Sequence, residues 1–291
     1  MCTVESPLVP STPFPISGEA VFFMVDNTGG LTDFHRELYL RNALIPEIGE
    51  EGQLRLLNSR VLVIGAGGLG SPVLLYLAAS GVGEVGIADH DEVSLSNLQR
   101  QILYTLDDVG SSKCFTARKR LKRFHRHLRF NAHPLKITTE NVRSIIEPYH
   151  FVIDATDNFE AKFLINDACV RGEKPFSHAG VMNLHGQTMT VVPHRSPCLR
   201  CIFGGVPPEG VVPRADQSGI LGSVAGVIGS VQATEAVKCL LGVGELLTGR
   251  MLTWDALIMV FRVVALPKDR RCSVCSQENT THQILEGQKD G

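Results

Sequence analysis

The sequence predicts an α/β fold in which a doubly wound, mostly parallel sheet continues into an antiparallel region. Short apolar runs at residues 61–64, 85–88 and 151–154 are typical of buried parallel strands, and helical patterns separate them. Residues 187–192 alternate between apolar and polar side chains, as in a strand with one exposed face. Two C-x-x-C pairs in the C-terminal third predict a structural zinc site near the antiparallel region.

The composition is that of a globular protein with a sizeable core. The chain has 291 residues, of which 44% are hydrophobic, and its net charge is −2. This charge gives no basic surface for nucleic acid. No apolar run approaches the roughly 20 residues of a membrane span, and residues 20–25 are too short for a secretory signal core. We therefore expect a soluble, cytoplasmic protein.

Composition along the chain predicts one domain with a polar segment at each end. Residues 1–30 are rich in Pro, Ser and Gly without a sustained period, so we expect a mobile N-terminal arm. Residues 31–277 form the domain, and residues 278–291 form a polar tail. The first part of the domain, residues 32–57, is expected to be helical in pieces.

A glycine-rich turn follows the first predicted strand. Gly65, Gly67 and Gly70 form G-x-G-x-x-G, and a helix is expected to begin at Ser71 and Pro72. Glycines let the backbone approach phosphates, and the N–H groups of a helix N-terminus attract anions. The pattern predicts nucleotide binding, although such a turn also occurs in other α/β proteins.

Asp89 ends the second predicted strand, about 20 residues after the glycine turn, where dinucleotide-binding folds place a ribose-binding carboxylate. The alternative is a solvated loop acid. A polar stretch over residues 89–104 follows, with Asn97 and Arg100 in it. After a turn at 107–112, Lys113 begins a basic helix. By spacing alone, these charges are also consistent with a solvated surface.

The strand at residues 151–154 ends in the sequence DATDN. Strand ends carry the site in open α/β sheets, so Asp154, Asp157 and Asn158 should lie near the glycine turn. A carboxylate there could hold Mg²⁺ beside nucleotide phosphates. The alternative is that Asp154 and Asn158 cap the helix over residues 160–170.

The remaining elements are predicted with less distinctive patterns. We expect a short strand at Ile137, a helix at 139–147, strands at 176–179, 251–254 and 257–266, and a small-residue helix at 223–241 suited to close packing, including packing across a subunit contact. Residues 204–222 are rich in Gly and Pro and predict a long loop that moves or receives a ligand.

The two C-x-x-C pairs offer four thiolates to one metal ion. Cys198, Cys201, Cys272 and Cys275 match tetrahedral Zn²⁺, and four protein ligands leave no open position, so the site would be structural. A thioredoxin-like redox pair is the alternative. The other four of the eight cysteines have no partner at metal spacing.

Taken together, these stretches resemble the MoeB/ThiF/HesA family, bacterial relatives of ubiquitin-activating enzymes. In chain order they are RVLVIGAGGLGSP, DHDEVSLSNLQRQ, VGSSK, DATDN, GVIGSVQATEAVK and the two C-x-x-C pairs. The resemblance covers residues 35–277 and implies a Rossmann-like fold of the ubiquitin-activating-enzyme type. It also implies that Mg-ATP adenylates the C-terminal glycine of a ubiquitin-like sulfur-carrier protein ending in Gly-Gly, with release of pyrophosphate, in a homodimer with structural Zn²⁺.

The resemblance assigns roles by position. Gly65, Gly67, Gly68 and Gly70 form the nucleotide loop, Asp89 holds the ribose, Asn97, Arg100 and Lys113 face the phosphates, Asp157 holds Mg²⁺ beside Asn158, and Arg41 reaches the ATP of the neighbouring subunit. By spacing alone, Arg41 is a solvated surface arginine.

Two positions depart from the family pattern. Ala215 stands where many relatives have a cysteine, so the resemblance implies an enzyme that stops at the adenylate or hands it to a separate sulfur donor. Leu38 stands where relatives often have an arginine. Three alternatives remain: an NAD-dependent oxidoreductase, a non-catalytic partner subunit of the same fold, and adenylation of a peptide or a modified tRNA base.

Overall fold

The computed structural model describes residues 30–208, 211 and 218–276. The predicted N-terminal arm, the polar tail and Ala215 lie outside this part of the chain, apart from Gly30 at the end of the arm. The strands within it are β1 (Arg60–Ile64), β2 (Glu84–Ala88), β3 (Arg129–His133), β4 (Phe151–Asp154), β5 (Phe176–Met182), β6 (His185–Val191), β7 (Arg250–Asp255) and β8 (Val260–Ala265). The α-helices are α1 (Asp33–Leu38), α2 (Leu40–Ala43), α3 (Gly49–Leu57), α4 (Gly70–Ala79), α5 (Lys113–Phe124), α6 (Val142–Ile146), α7 (Phe159–Arg171), α8 (Leu199–Phe203) and α9 (Gly222–Leu241).

All eight of these strands form one sheet with the order β3-β2-β1-β4-β5-β6-β7-β8. Strands β3, β2, β1, β4 and β5 run parallel, and β6, β7 and β8 continue the sheet antiparallel. The predicted fold class is therefore confirmed. Because the chain moves from β1 outward to β2 and β3 and then back to β4, the strand order reverses between β1 and β4, and such a reversal opens a crevice at the carboxyl ends of the strands.

Helices cover both faces of the sheet and separate two apolar cores. Helices α3, α4, α5 and α9 pack on one face, and α6, α7 and α8 pack on the other. Small side chains allow α9 to lie close to α4, because a Cβ atom at Gly229 would be 2.6 Å from the Leu69 carbonyl oxygen. This contact is within the chain, so at least one of the small residues serves internal packing.

Helix α9 corrects the expectation that no apolar run approaches the length of a membrane span. It is 20 residues long with a mean hydropathy of 1.3, which is long and apolar enough to cross a membrane by length and composition. However, 61% of its apolar window is buried inside the fold, and its contacts with α4, β5 and β6 make it a core helix.

Several element boundaries differ from the predicted ones. Ile137 lies outside a strand, and the strand of that region is β3. Strand β3 is an edge strand with several exposed or half-buried side chains, so its sequence RFNAH lacks the apolar signal of a buried strand. The predicted helix at 139–147 is the shorter α6, and the predicted strand at 257–266 is shortened by a turn at residues 256–259 to β8.

A buried charge cluster joins β4 to α7 and to β5, the last parallel strand of the sheet. The Asp154 carboxylate at the end of β4 is inaccessible to solvent. Its Oδ2 lies 3.3 Å from Lys162 Nζ on α7 and 2.8 Å from His178 Nδ1 on β5. Burial alone would raise the pKa of Asp154, but the Lys162 ammonium and the His178 hydrogen bond outweigh burial and hold that pKa below its usual value.

The hydrogen bonds of Asp154 and Asn158 show which of these two residues caps α7. Asn158 Oδ1 accepts a hydrogen bond from Ala161 N at 2.8 Å and caps α7. Asp154 does not, because its carboxylate is enclosed by Lys162, His178 and Thr156. For the same reason Asp154 is not placed as a Mg²⁺ ligand.

Candidate active site

One large cavity opens at the carboxyl ends of β1, β2 and β4, where the strand order reverses. Its volume is about 1140 Å³, which exceeds the roughly 300–1,000 Å³ of most small-molecule sites. Of the residues predicted for the site, those that line the cavity are Gly65, Gly67, Gly68, Asp89, Arg100, Lys113, Asp157 and Asn158. The structure therefore brings most of the predicted set into one space.

The glycine turn is closed by contacts that a side chain would block. Gly65 has a φ of 98°, and a Cβ there would lie 2.5 Å from the Ala155 carbonyl oxygen. A Cβ at Gly70 would lie 2.0 Å from the Gly65 carbonyl oxygen. Gly70 is buried beneath the turn and does not line the cavity, so its role is to let the turn close.

Asp89 is tied to the glycine turn from the end of β2. Its Oδ2 accepts a hydrogen bond from Ala66 N at 2.7 Å, and its Oδ1 accepts one from Asp91 N at 2.8 Å. Burial raises the pKa of Asp89, and these backbone N–H groups oppose that rise. The carboxylate is thus fixed at the cavity wall.

Lys113 lies at the first turn of α5 with only 6% of its surface exposed. Its Nζ lies 2.9 Å from Asp91 Oδ2. The hydroxyl group of Tyr104 donates to the carbonyl oxygens of Ala66 and Lys113, at 2.8 and 3.3 Å, and so joins the glycine turn to this helix. Asp91 and Tyr104 were not predicted, and the only signal for Asp91 in the sequence is its place two residues after Asp89.

Arg100 covers the glycine turn from the polar stretch after β2. Its Nη1 donates to the Ser96 carbonyl oxygen at 3.0 Å, and its Cγ would be 3.3 Å from a Cβ at Gly68. The buried Gln101 lies over Gly67, and its Oε1 has no hydrogen-bond partner among the described residues. Arg100 and Gln101 therefore offer polar groups to a ligand above the turn.

Asp157 is exposed at the cavity rim, and no hydrogen bond or ion pair involves its carboxylate within the described part of the chain. An unpaired carboxylate beside a phosphate-binding turn has the chemistry of a Mg²⁺ ligand. Asp89, His90 and Asp91 also place ligand atoms within 4.8 Å of one another, but Asp91 is already paired with Lys113.

Besides Gly70, two other predicted residues do not line the cavity. The side chain of Asn97 accepts a hydrogen bond from Ser94 N at 3.2 Å and stabilises the 3₁₀ turn at Leu95–Asn97. Arg41 is exposed on α2 and does not line the cavity of its own chain.

The cavity also contains two titratable residues that sequence reasoning missed. Lys162 and His178, the partners of the buried Asp154, both line it. Lys162 Nζ donates to the Ala179 carbonyl oxygen at 2.8 Å, and the His178 ring lies against the Phe203 ring with centroids 6.4 Å apart. Lys162 lies within a helix and His178 within a short apolar strand. Neither residue belongs to a local sequence motif that would indicate a functional site.

Part of the predicted 204–222 loop belongs to the cavity wall. Among its described residues, Gly205, Pro207, Ser218 and Ile220 line the cavity. That this loop receives a ligand stays a prediction.

The two C-x-x-C pairs converge into one cluster of sulfur atoms. Cys198 Sγ lies 3.7 Å from Cys272 Sγ, Cys201 Sγ lies 3.3 Å from Cys275 Sγ, and all four lie within 4.8 Å of one another. A tetrahedron with Zn–S bonds of about 2.3 Å has S–S edges of about 3.8 Å, so the cluster fits Zn²⁺.

The first pair is fixed to the body of the fold by α7. Asp167 holds Arg200 through hydrogen bonds of 2.8 and 2.7 Å, and Asn166 Oδ1 accepts from Leu199 N at 2.9 Å. Three of the four cysteines are part of the apolar core on this face of the sheet, and none of the four lines the cavity.

The cavity combines groups that suit chemistry at a nucleotide phosphate. Backbone N–H groups, Arg100 and Lys113 can bind phosphate oxygens, Asp157 can hold a divalent cation, and Asp89 can accept hydrogen bonds from a ribose. No thiol of the described residues lines the cavity.

Comparison with known proteins identifies the family. The ThiF family pattern matches residues 39–274. The sulfur carrier protein adenylyltransferase of Thermus thermophilus is 43% identical over 253 residues, covering 85% of this chain and 93% of that protein. The SAMP-activating enzyme E1 of Haloferax volcanii is 41% identical over 239 residues, covering 82% and 88%. The adenylyltransferase and sulfurtransferase MOCS3 of Anopheles gambiae is 41% identical over 250 residues, and this chain spans 56% of its length.

Solved structures agree on the fold. A crystal structure of E. coli MccB with MccA-N7isoASN has a TM-score of 0.73 at 23% identity, covering 83% of this chain and 75% of that one. A crystal structure of PaaA has a TM-score of 0.67 at 19% identity, covering 83% and 77%. The resemblance noted in the sequence is thereby confirmed: the chain belongs to the ThiF family, and its enzyme class is that of an adenylyltransferase.

Proposed function

We propose that this protein adenylates the C-terminal glycine carboxylate of a ubiquitin-like sulfur-carrier protein ending in Gly-Gly, in the cytoplasm. The observation that carries the proposal is the single cavity in which the glycine turn, Asp89, Arg100, Lys113 and Asp157 meet. The Thermus relative, with which this chain aligns over most of its length, is named for the same activity on a sulfur carrier protein.

The reaction requires two anions to meet. A carrier carboxylate oxygen attacks the α-phosphorus of ATP, a new P–O bond forms, and the bond to pyrophosphate breaks. The C-terminal carboxylate has an ordinary pKa of roughly 3.3–3.7 and is ionised at neutral pH, so the enzyme needs no general base. The enzyme must instead stabilise the charge that grows on the phosphate oxygens.

The chain's own residues divide this task. Arg100 and Lys113 supply fixed positive charge, and Asp91 holds the Lys113 ammonium at the cavity wall with an ion pair of 2.9 Å. The glycine turn supplies backbone N–H groups, and Asp89 orients the ribose. Asp157 would hold Mg²⁺, which adds positive charge beside the phosphates when bound.

The alternatives fit the cavity less well. Hydride transfer has no use for an unpaired rim carboxylate with Arg100 and Lys113, so we do not favour an NAD-dependent oxidoreductase. A non-catalytic partner subunit is disfavoured because Arg100, Lys113 and Asp157 all line the cavity. Leu38 is 43% exposed and lies outside the cavity lining, so its departure from the family pattern leaves that set of residues intact.

Carrier-dependent ATP–pyrophosphate exchange is the first expected result. Wild-type protein should catalyse exchange with a carrier ending in Gly-Gly, and Asp157→Asn should lower the rate by about 10²–10³-fold, because one charge-stabilising group is lost. Asp107→Asn removes an exposed acid outside the cavity and should leave the rate unchanged. ATP binding without exchange, whatever the carrier, would instead favour the non-catalytic subunit or a peptide or tRNA substrate.

We further propose that the enzyme forms no thioester with its carrier. Ala215 stands at the family cysteine position but lies outside the described residues. The thiols of Cys114, Cys169 and Cys239 are buried in the core, and burial raises the pKa of all three. A buried neutral thiol cannot attack the adenylate, so a separate donor would supply the sulfur.

Separation of the reaction products without reductant should therefore show carrier adenylate and no reductant-sensitive conjugate. Ala215→Cys is the matched variant, because it restores a thiol at the family position. A wild-type conjugate that disappears with dithiothreitol would contradict this proposal while leaving adenylation intact.

We propose that the protein acts as a homodimer in which Arg41 serves the partner's site. Arg41 is exposed on α2 and does not line its own cavity. The same surface exposes Leu40 and Leu44 by 51% and 62%, and α4 exposes Tyr76 by 56%. Such apolar surface is typical of a contact between subunits.

Mixing two inactive variants tests this arrangement. When Arg41→Ala and Asp157→Asn subunits exchange, about half of the dimers are mixed and each has one intact site, so about a quarter of wild-type activity should return. If Arg41 acted within its own chain, mixing would restore nothing.

We propose one structural Zn²⁺ ion held by the four clustered cysteines. Purified protein should contain one zinc ion per chain, and Cys272→Ser should lose it together with about 3 kcal/mol or more of unfolding free energy, because the metal ties the C-terminal segment to the core. Cys239→Ala alters a thiol outside the cluster and should keep its zinc. Full stability of the metal-free protein would contradict the structural role.

A further inference from the structure

The antiparallel half of the sheet has one covered face and one open face. On the covered face, a Cβ at Gly186 would lie 2.4 Å from Ile228 of α9, and the neighbouring Trp254 is buried. Successive side chains of a strand point to opposite faces. Gln187 follows Gly186 in β6, and Thr253 precedes Trp254 in β7. Both side chains therefore belong to the open face, and both residues line the cavity.

A row of residues crosses this open face in one register. Gly180 of β5 pairs with Gln187 of β6, Gln187 pairs with Thr253 of β7, and Thr253 pairs with Arg262 of β8. All four line the same cavity as the glycine turn. The Gln187 side chain lies along this row, because its Nε2 would be 3.6 Å from a Cβ at Gly180. The cavity floor thus runs from the nucleotide end to the far edge of the sheet.

The far end of the row is positively charged. Arg262 is exposed, and its guanidinium has no hydrogen-bond or ion-pair partner in the described part of the chain. The nearest acid in register terms is Asp255, on the same face. Asp255 Oδ1 accepts from Leu257 N at 3.1 Å and lies 3.8 Å from His185 Nδ1 rather than pairing with Arg262. Arg262 is therefore available to an anionic group from outside the chain.

The length of the floor suits an extended peptide. The step from β4, which carries the Asp157 loop, to β8 is four strand spacings, or about 19 Å. An extended chain advances about 3.3 Å per residue. The span therefore corresponds to roughly four to six residues, because the Arg262 side chain and the peptide side chain that meets it each cover part of the distance.

On the basis of the proposed function, we propose that Arg262 is a specificity residue for the carrier. It binds the carboxylate of an Asp or Glu side chain that lies four to six residues before the adenylated C-terminus, while the tail crosses the floor formed by Gln187 and Thr253. Charge complementarity selects this occupant, because the only unpaired charged group along the described row is the cation of Arg262.

The test uses a charge reversal in ATP–pyrophosphate exchange with a Gly-Gly carrier that supports wild-type activity. Arg262→Glu should raise KM for the carrier about tenfold or more, with kcat and KM for ATP unchanged. Changing the acidic residue of the carrier tail to Lys should restore KM with Arg262→Glu and impair wild-type enzyme. Arg143→Glu, an exposed arginine on α6 outside the cavity, is the matched control.

The outcomes separate this proposal from the activity itself. Unchanged KM for the carrier in Arg262→Glu, a raised KM for ATP instead, or a carrier tail in which no acidic position matters would overturn the role of Arg262 while leaving adenylation intact. If wild-type protein showed no exchange, the proposed function would fail. Binding of a fluorescent carrier-tail peptide to wild type and Arg262→Glu would then still decide whether Arg262 holds an acidic tail.

Discussion

The arrangement of this protein depends on the buried carboxylate of Asp154, whose charge requires a nearby cation and hydrogen-bond donors. Asp154 is removed from water at the end of β4, where it lies between helix α7 and the neighbouring parallel strand β5. Desolvating a charge costs several kcal/mol, so the fold must bring a cation and hydrogen-bond donors to it. Lys162 and His178 meet that requirement from α7 and β5. Removing one partner of such a pair typically costs about 3–5 kcal/mol.

This requirement also positions the chemistry. With the Asp154 side chain held from below, the backbone after β4 is fixed beneath the glycine turn, where Ala155 blocks any side chain at Gly65. Asp157 and Asn158 come next in the chain. Asn158 caps α7, and both residues line the cavity. The charge cluster thus helps to determine where the Asp157 carboxylate stands relative to the glycine turn.

The parallel half of the fold could be predicted because its signals are local. Buried strands are short apolar runs, and glycines mark the turn that must close tightly, so β1, β2 and β4 were expected where they occur. Strand β3 was misplaced to Ile137, because an edge strand needs no continuous apolar run. The ends of β8 were misjudged for a related reason: its side chains are exposed throughout, and only the turn before it sets its start.

The residues of the candidate site differ in the same way: those with a local sequence signal could be predicted, and those without one could not. Asp89, Arg100, Lys113 and Asp157 follow strand ends or match a family motif, and all four reach the cavity. Lys162, like His178 and Tyr104, was not predicted, because its partners are distant in sequence and its significance lies in burial. Asn97 is the opposite case. It lies in a family motif and was predicted to face the phosphates, but its side chain accepts a hydrogen bond from Ser94 N within its own turn.

In the proposed complex, the span of the cavity would separate carrier binding at Arg262 from the chemistry at the nucleotide. A unit charge about 19 Å from the reacting phosphate interacts with it by only about 0.2 kcal/mol in water and about 0.9 kcal/mol at an effective dielectric constant of 20. Arg262 is therefore too distant to stabilise the transition state directly. Any binding energy gained at that end orients the tail and raises the effective concentration of its carboxylate at the α-phosphorus. On this proposal, the parallel half would bind the nucleotide and its cations, and the antiparallel half would determine which carrier protein binds.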